Sequence, residues 1–230
     1  MEPIAQIRND LTDKFGVPRQ SGLVPQVRSL IVFEPRYRVN EAFRGIEGWS
    51  HLWLVWSFHR AGGADWSPTV RPPRLGGNER VGVFATRSPY RPNRIGLSCV
   101  RLIALRHDPE LGPVLEVAGA ALLDGSPILD IKPYVPLTDC RPEATGGFTD
   151  SREKRTVRVE CPDAVLRALP EEKREGLLGI LREDPRPAYQ DDPARVYGFR
   201  YAGREVRFRV AEGVLTVISI GEAADKEELE

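Results

Sequence analysis

The sequence has few cysteines and histidines and lacks the common phosphate-binding and hydrolase signatures. Its three cysteines, Cys99, Cys140 and Cys161, are odd in number and widely separated, with no C-x-x-C. That pattern excludes a disulfide framework and a thiolate zinc site, and points to a reducing cytosol. Only His51, His59 and His107 are present, and no H-E-x-x-H occurs, so no metal is expected. There is no G-x-G-x-x-G, no G-x-x-x-x-G-K-[ST] and no G-x-S-x-G. A Rossmann fingerprint, a Walker loop and a hydrolase elbow are therefore all missing. No apolar run approaches the roughly 18–20 residues that span a bilayer. The start, MEPIAQIRNDLTDK, has no basic region followed by an apolar one, so the expectation is a cytoplasmic protein with no signal peptide and no membrane partner.

Net charge is also lacking, since 33 Lys+Arg balance 33 Asp+Glu over 230 residues. The balance hides a segregation. Between Arg60 and Arg106 nine arginines face only Asp65 and Glu79, with no lysine. From Glu160 to Asp192 nine acids outnumber five basic residues, and the tail at 222–230 is acidic as well. An all-arginine cluster suits forked recognition of phosphate or carboxylate, because guanidinium presents rigid paired donors. The plainer reading is a solvated loop face.

Short runs rich in β-branched and aromatic residues, punctuated by 21 glycines and 20 prolines, predict strands at 4–8, 27–33, 51–58, 81–86, 97–106, 114–118 and 128–134. The run 51–58 is almost continuously apolar and reads as covered on both faces. One short helix fits 36–45. The fold class is mainly β: a β-barrel or compact sandwich over residues 1–140. A polar linker is expected at 141–155. The segment 156–221 reads as a small α+β domain: a strand at 156–161, a helix from Asp163 to about Arg182 interrupted at Pro170, then a meander at 195–201, 205–210 and 214–220.

Three blocks stand out. FGVPRQSGL is a polar loop after the first strand, or a plain connector. VRPPRLGGNERVGVFATRSPYRPNRIGLS mounts arginines on prolines that restrict the backbone and glycines that let main-chain donors approach a ligand. LLDGSPILDIKPYVP contains an ordinary Asp-Gly-Ser-Pro turn, whose Asp124 can alternatively accept hydrogen bonds from a ribose. His51 and His59 bracket the apolar strand at even spacing and so share a face, unless they are simply packed or surface residues.

Together with EAFRGIEGWSHLWLVWSFHR and EDPRPAYQDDPARVYGF, these blocks resemble the TsaA-like family of tRNA methyltransferases, which act on N6-threonylcarbamoyladenosine at position 37 beside the anticodon. The likeness covers most of the chain. One departure is Arg94, where the family usually reads proline in RPNPIG. The resemblance implies a non-Rossmann β-barrel that binds S-adenosyl-L-methionine, a tRNA anticodon loop as partner, and a homodimer with each cofactor site near the subunit interface. Cofactor contacts are implied at Pro18, Arg19, Gln20, His59, Arg60, Arg87, Leu97, Asp124, Gly125, Ser126 and Pro127.

Methylating a nitrogen that carries a proton calls for a base, and His59 and Asp124 are the nominees, with Asp124 the better ribose ligand. Arg91 is the expected clasp for the threonyl carboxylate, and Asn93 faces the base or ureido group. Arg71, Arg74, Arg80 and Arg94 are expected on tRNA phosphates. Tyr90 either stacks on a base or is buried. Two other readings stay open: a non-enzymatic RNA-binding barrel, and a protein-interaction module that docks an acidic partner.

Overall fold

The computed structural model describes residues 1–61, 66–72, 79–150, 156–186, 190 and 192–222. Arg74, residues 151–155 of the expected linker and residues 223–230 of the tail lie outside the described residues. The chain is mainly β. Six strands, β1 (Ala5–Asn9), β2 (Arg28–Phe33), β3 (His51–Ser57), β6 (Ile95–Asp108), β7 (Gly112–Ala118) and β8 (Pro127–Pro133), pair antiparallel in the ring β1-β2-β7-β6-β3-β8. Pairing of Ala5 with Ile128 and of Gln6 with Pro127 closes it. Between β3 and β6 a two-stranded ribbon, β4 (Thr69–Val70) with β5 (Val81–Gly82), projects as a separate sheet.

Alternation decides which face fills the barrel. On β3, Leu52, Leu54 and Trp56 point inward and are buried, and they meet Ile7, Ile31, Val100, Leu115 and Ile128. The opposite face is only half covered: Trp53 sends its indole Nε1–H to Asp139 Oδ2 at 2.8 Å and packs against Tyr134. The expectation of full cover on both faces is thus corrected: the outer residues His51, Trp53, Val55 and Ser57 are all only half-buried, and the polar edges of the two rings among them reach solvent-side partners. Gly96 also has a different task from the ligand approach expected of it. A Cβ there would stand 2.2 Å from the Trp56 indole, so glycine makes room for the largest ring in the barrel.

Local chemistry shortens other expected elements. The strand 81–86 stops at Gly82 and becomes a 3-10 turn at Val83–Ala85. The helix at 36–45 is instead two 3-10 turns, Pro35–Tyr37 and Asn40–Phe43. β3 ends at Ser57, so the alternation that would align His51 with His59 does not reach His59.

A short α1 (Pro136–Asp139) follows the barrel. Beyond the described gap, β9 (Arg158–Glu160), α2 (Asp163–Leu166), α3 (Glu171–Arg182), β10 (Tyr197–Tyr201), β11 (Arg204–Ala211) and β12 (Val214–Glu222) form a sheet of order β10-β11-β12-β9 backed by helices. α2 ends at Leu166, and Pro170 stands at the N-cap position of α3, where its missing amide proton costs the helix nothing. Glu171 and Glu172 in the first turn and Arg182 in the last complement the helix dipole.

This second core is not built from the C-terminal segment alone. Leu11, Val24 and Val27, all buried, join Leu177, Leu181, Phe199, Phe208 and Val217 in one cluster. Phe15 lies parallel to Tyr197 with centroids 6.2 Å apart and also neighbours Phe199 and Phe208. Gly16 lies against Phe199 so closely that a Cβ would meet its ring at 2.3 Å. Lys173 pairs with Asp10 across the same boundary. The loop after β1 is therefore an inter-domain element, wedged between barrel and C-terminal sheet.

Both glycines make stability predictions. Gly96→Ala and Gly16→Ala should each destabilise the fold by about 1–3 kcal/mol through overpacking, read as a lowered denaturation midpoint. In the first case Trp56→Phe should recover part of the loss.

Candidate functional site

The loop wedged between the two cores carries FGVPRQSGL, and its polar end faces an open cleft of about 1340 Å³. Pro18 is buried, which fixes the loop and turns Arg19 and Gln20 toward the cleft. Arg19 donates from Nη2 to the Arg186 carbonyl at 2.7 Å, and Arg186 is itself held by both oxygens of Asp184. From the opposite wall Arg87 donates from Nη1 to Gln20 Oε1 at 2.8 Å. That bond joins the first block of the sequence to the second.

The cleft lining contains Lys14, Arg19, Arg71, Arg80 and Arg87 and, among the described residues, no carboxylate. With a low-dielectric wall beside them, these cations focus a positive potential that a zero net charge conceals. Arg80 is steadied by the Thr69 hydroxyl at 3.1 Å, on the β4–β5 ribbon. Tyr90 lines the cleft and is exposed, so of its two expected environments the open one is found.

At the rim, Lys14 donates from Nζ to the Arg60 carbonyl and brings His59 and Arg60 alongside. Asp124 is close enough to His59 to act on its charge. Burial, reinforced by Arg60 and Lys14 and opposed by Asp124, lowers the His59 pKa below its ordinary value. The imidazole is therefore neutral near pH 7 and has a lone pair to accept a proton. The third block reaches this place because its turn is stitched to β1. Asp124 Oδ1 accepts from the Asn9 amide, the Asp124 amide donates to the Leu11 carbonyl, and the Gly125 amide donates to the Ile7 carbonyl, each at 2.9 Å. Asp124 Oδ2 makes no hydrogen bond among the described residues.

Other expected residues have structural tasks. Ser126 is buried, with its hydroxyl donating to the Leu123 carbonyl at 2.6 Å and its own carbonyl accepting from the Ile7 amide. It braces the turn, while Pro127 opens β8. Arg91 donates from Nη1 to the carbonyls of Val83 and Thr86, at 3.0 and 2.7 Å, and so clamps the 3-10 turn. Arg94 is half-buried and donates to the Ala61 carbonyl at 2.7 Å, while its own carbonyl accepts from Phe58. It therefore straps down the segment that bears His59 and Arg60. Asn93 is exposed, and Leu97 lies on the outside of β6, 54% exposed.

Sequence reasoning missed Lys14, Phe84 and Phe148, all in the cleft lining. Phe84 falls in the expected strand 81–86, which ends before it. The 3-10 turn Gly147–Thr149 falls in the expected linker 141–155, yet Phe148 and Thr149 line the cleft, and nothing in the polar composition of that segment signals the placement.

The family described as tRNA-methyltransferase O N-terminal domain matches residues 6–140, and the TrmO C-terminal domain matches residues 155–223. A tRNA (adenine(37)-N6)-methyltransferase of Escherichia coli K12 is 38% identical over 229 residues, covering 95% of this chain and 96% of that one. A Pseudomonas aeruginosa relative, 42% identical over 208 residues and 87% of each chain, is named for S-adenosylmethionine-dependent methyl transfer. A crystal structure of TrmO from Pseudomonas aeruginosa superposes with a TM-score of 0.76 at 32% identity, over 95% of this chain and 97% of the other. Matches of two family models over nearly the whole chain, on a cationic cleft lined by residues of the first two sequence blocks, place this protein in the TrmO family of tRNA methyltransferases.

Proposed function

We propose that this protein transfers a methyl group from S-adenosyl-L-methionine to N6 of threonylcarbamoyladenosine at position 37 of tRNA, in the cytoplasm and as a homodimer. The observation that carries the reading is the convergence of Arg19, Gln20 and Arg87 on one cleft, where Lys14 of the lining bonds the Arg60 carbonyl next to His59, on whose charge Asp124 acts.

The residues fit the methyl donor. Asp124 offers a half-buried carboxylate with one oxygen held by Asn9 and the other without a hydrogen bond among the described residues, as a ribose diol or an ammonium requires. Beside it Gly125 has φ +74 and no atom within 4 Å of where a Cβ would stand, which leaves open space against the backbone. Arg19, Gln20 and Arg87 supply donors for a carboxylate or a base edge. When bound, S-adenosyl-L-methionine supplies a methyl carbon whose bond to the sulfonium sulfur breaks as the bond to nitrogen forms.

The protein's own task is then alignment and proton removal. Fixed loops hold the two reactants in line, an effect that needs no metal. Neutral His59 takes the proton of the attacking nitrogen, with Asp124 stabilising the imidazolium that results. Arg71 and Arg80 meet phosphates of the anticodon stem and loop. Exposed Leu97 is a residue that a second copy would cover.

Mass spectrometry of tRNA nucleosides after incubation with protein and donor should show threonylcarbamoyladenosine gaining one methyl. Methylation of plain adenosine instead would remove the finer substrate and keep methyl transfer. Arg87→Ala should weaken donor binding about tenfold or more in calorimetry, the size of a lost charge-assisted hydrogen bond. The pH profile follows from the sign of the His59 shift. Activity should fall as pH drops through a value below that of an ordinary histidine side chain, when the imidazole gains its proton. His59→Gln should flatten that acid limb and lower kcat about a hundredfold or more.

A further inference from the structure

Phe84 is the most exposed aromatic ring among the described residues, with 73% of its surface in solvent. A phenyl ring left in water by accident usually sits on loosely held chain. Phe84 does not. Its neighbour Val83 is 1% exposed and anchors the 3-10 turn. The Val83 amide donates to the Pro68 carbonyl at 2.9 Å. The Thr86 amide and hydroxyl both donate to the Val83 carbonyl, at 3.1 and 2.8 Å. Arg91 adds its two bonds to the Val83 and Thr86 carbonyls, and its guanidinium lies over the Phe84 ring at 5.6 Å. The ring is thus held outward, in the lining of the cleft, by a preorganised turn.

Its surroundings specify what it meets. Lys14, Arg71 and Arg80, which the donor does not use, line the same cleft and no carboxylate does among the described residues, so a second occupant must bring negative charge along with a flat apolar face. A nucleotide does both: phosphates meet the cations and the base meets the ring. Such stacking is sequence-tolerant and common for unpaired bases, and in RNA specificity is mostly read in single-stranded loops.

We infer that Phe84 is a stacking platform for an unpaired base of the tRNA anticodon loop, making it a substrate-positioning residue. The inference rests on the reading that this protein methylates tRNA. Arg91 acts through Phe84, fixing the turn and supporting one edge of the stack by cation–π attraction.

The test uses the full chain and the variants Phe84→Ala, Phe84→Leu and Phe84→Trp, with three readouts: KM for tRNA, donor binding by calorimetry, and the thermal midpoint. Phe84→Ala and Phe84→Leu should both raise KM for tRNA about tenfold, the size of one lost base–aromatic stack. Phe84→Trp should restore the wild-type value, and donor affinity and thermal midpoint should hold throughout. Full rescue by leucine would overturn the inference, since apolar bulk and not a π-face would then be the requirement. An unchanged KM in Phe84→Ala would overturn it as well. So would a shift of Phe84→Ala from dimer to monomer with no change in KM, which would assign the ring to an interface between copies. If the wild-type protein methylates no tRNA, the functional reading fails instead. The same variants are then compared by retention of unmodified anticodon stem-loop RNA on a filter. There, a tenfold loss in Phe84→Ala sustains the stacking role and equal retention ends it.

Discussion

The seam between β1 and the Asp124–Pro127 turn is the constraint on which the rest of this molecule depends. Only two residue pairs of ladder join β1 to β8, so the ring closes with help from the turn's own backbone. The amides of Asp124 and Gly125 reach Leu11 and Ile7, and Ser126 returns a carbonyl to Ile7. Asp124 adds its carboxylate to the Asn9 amide. Closing a sheet removes an edge that would otherwise recruit other chains. Here the closure has a second result, since the stitch that seals the barrel also holds Asp124 where its charge acts on His59.

From that seam the chain leaves the barrel and enters a second core. Phe15 and Leu11 pack with Phe199 and Phe208, and Gly16 permits the close approach. Arg19 is tethered to the Arg186 carbonyl a few residues further on. The conformation of the cleft loop is thereby set jointly by barrel and C-terminal sheet, so the two parts share one site as well as one core. Arg94 plays a matching part on the other rim, where it straps the His59 segment through Ala61. A proline at that position would have no guanidinium to do this.

The charge distribution follows the same division of labour. Arginines of the central block point in several directions, and only some of them face the cleft. Arg71, Arg80 and Arg87 do so, while Arg91 and Arg94 have turned their donors onto protein carbonyls. Guanidinium suits both tasks, because one planar fork can brace two carbonyls or meet one phosphate. Sequence position alone does not separate these uses. The difference lies in whether a carbonyl of a neighbouring turn comes within reach.

By itself the sequence determined the mainly β character, the change to an α+β segment after residue 155 and the three blocks whose residues line or flank the site. These depend on residue preference, on turn punctuation and on motif text, all of which can be read along the chain. It did not reveal that Gly96 accommodates an indole, that Ser126 and Arg91 brace turns, or that Phe84 and Phe148 face the cleft. Ser126 and Arg91 reach carbonyls only three to eight residues away, which turn conformation decides, and the other outcomes depend on residues distant in sequence coming within a few ångströms of each other. Gly16 meets Phe199 and Arg87 meets Gln20 only after both cores have closed, and that closure is a property of the tertiary structure.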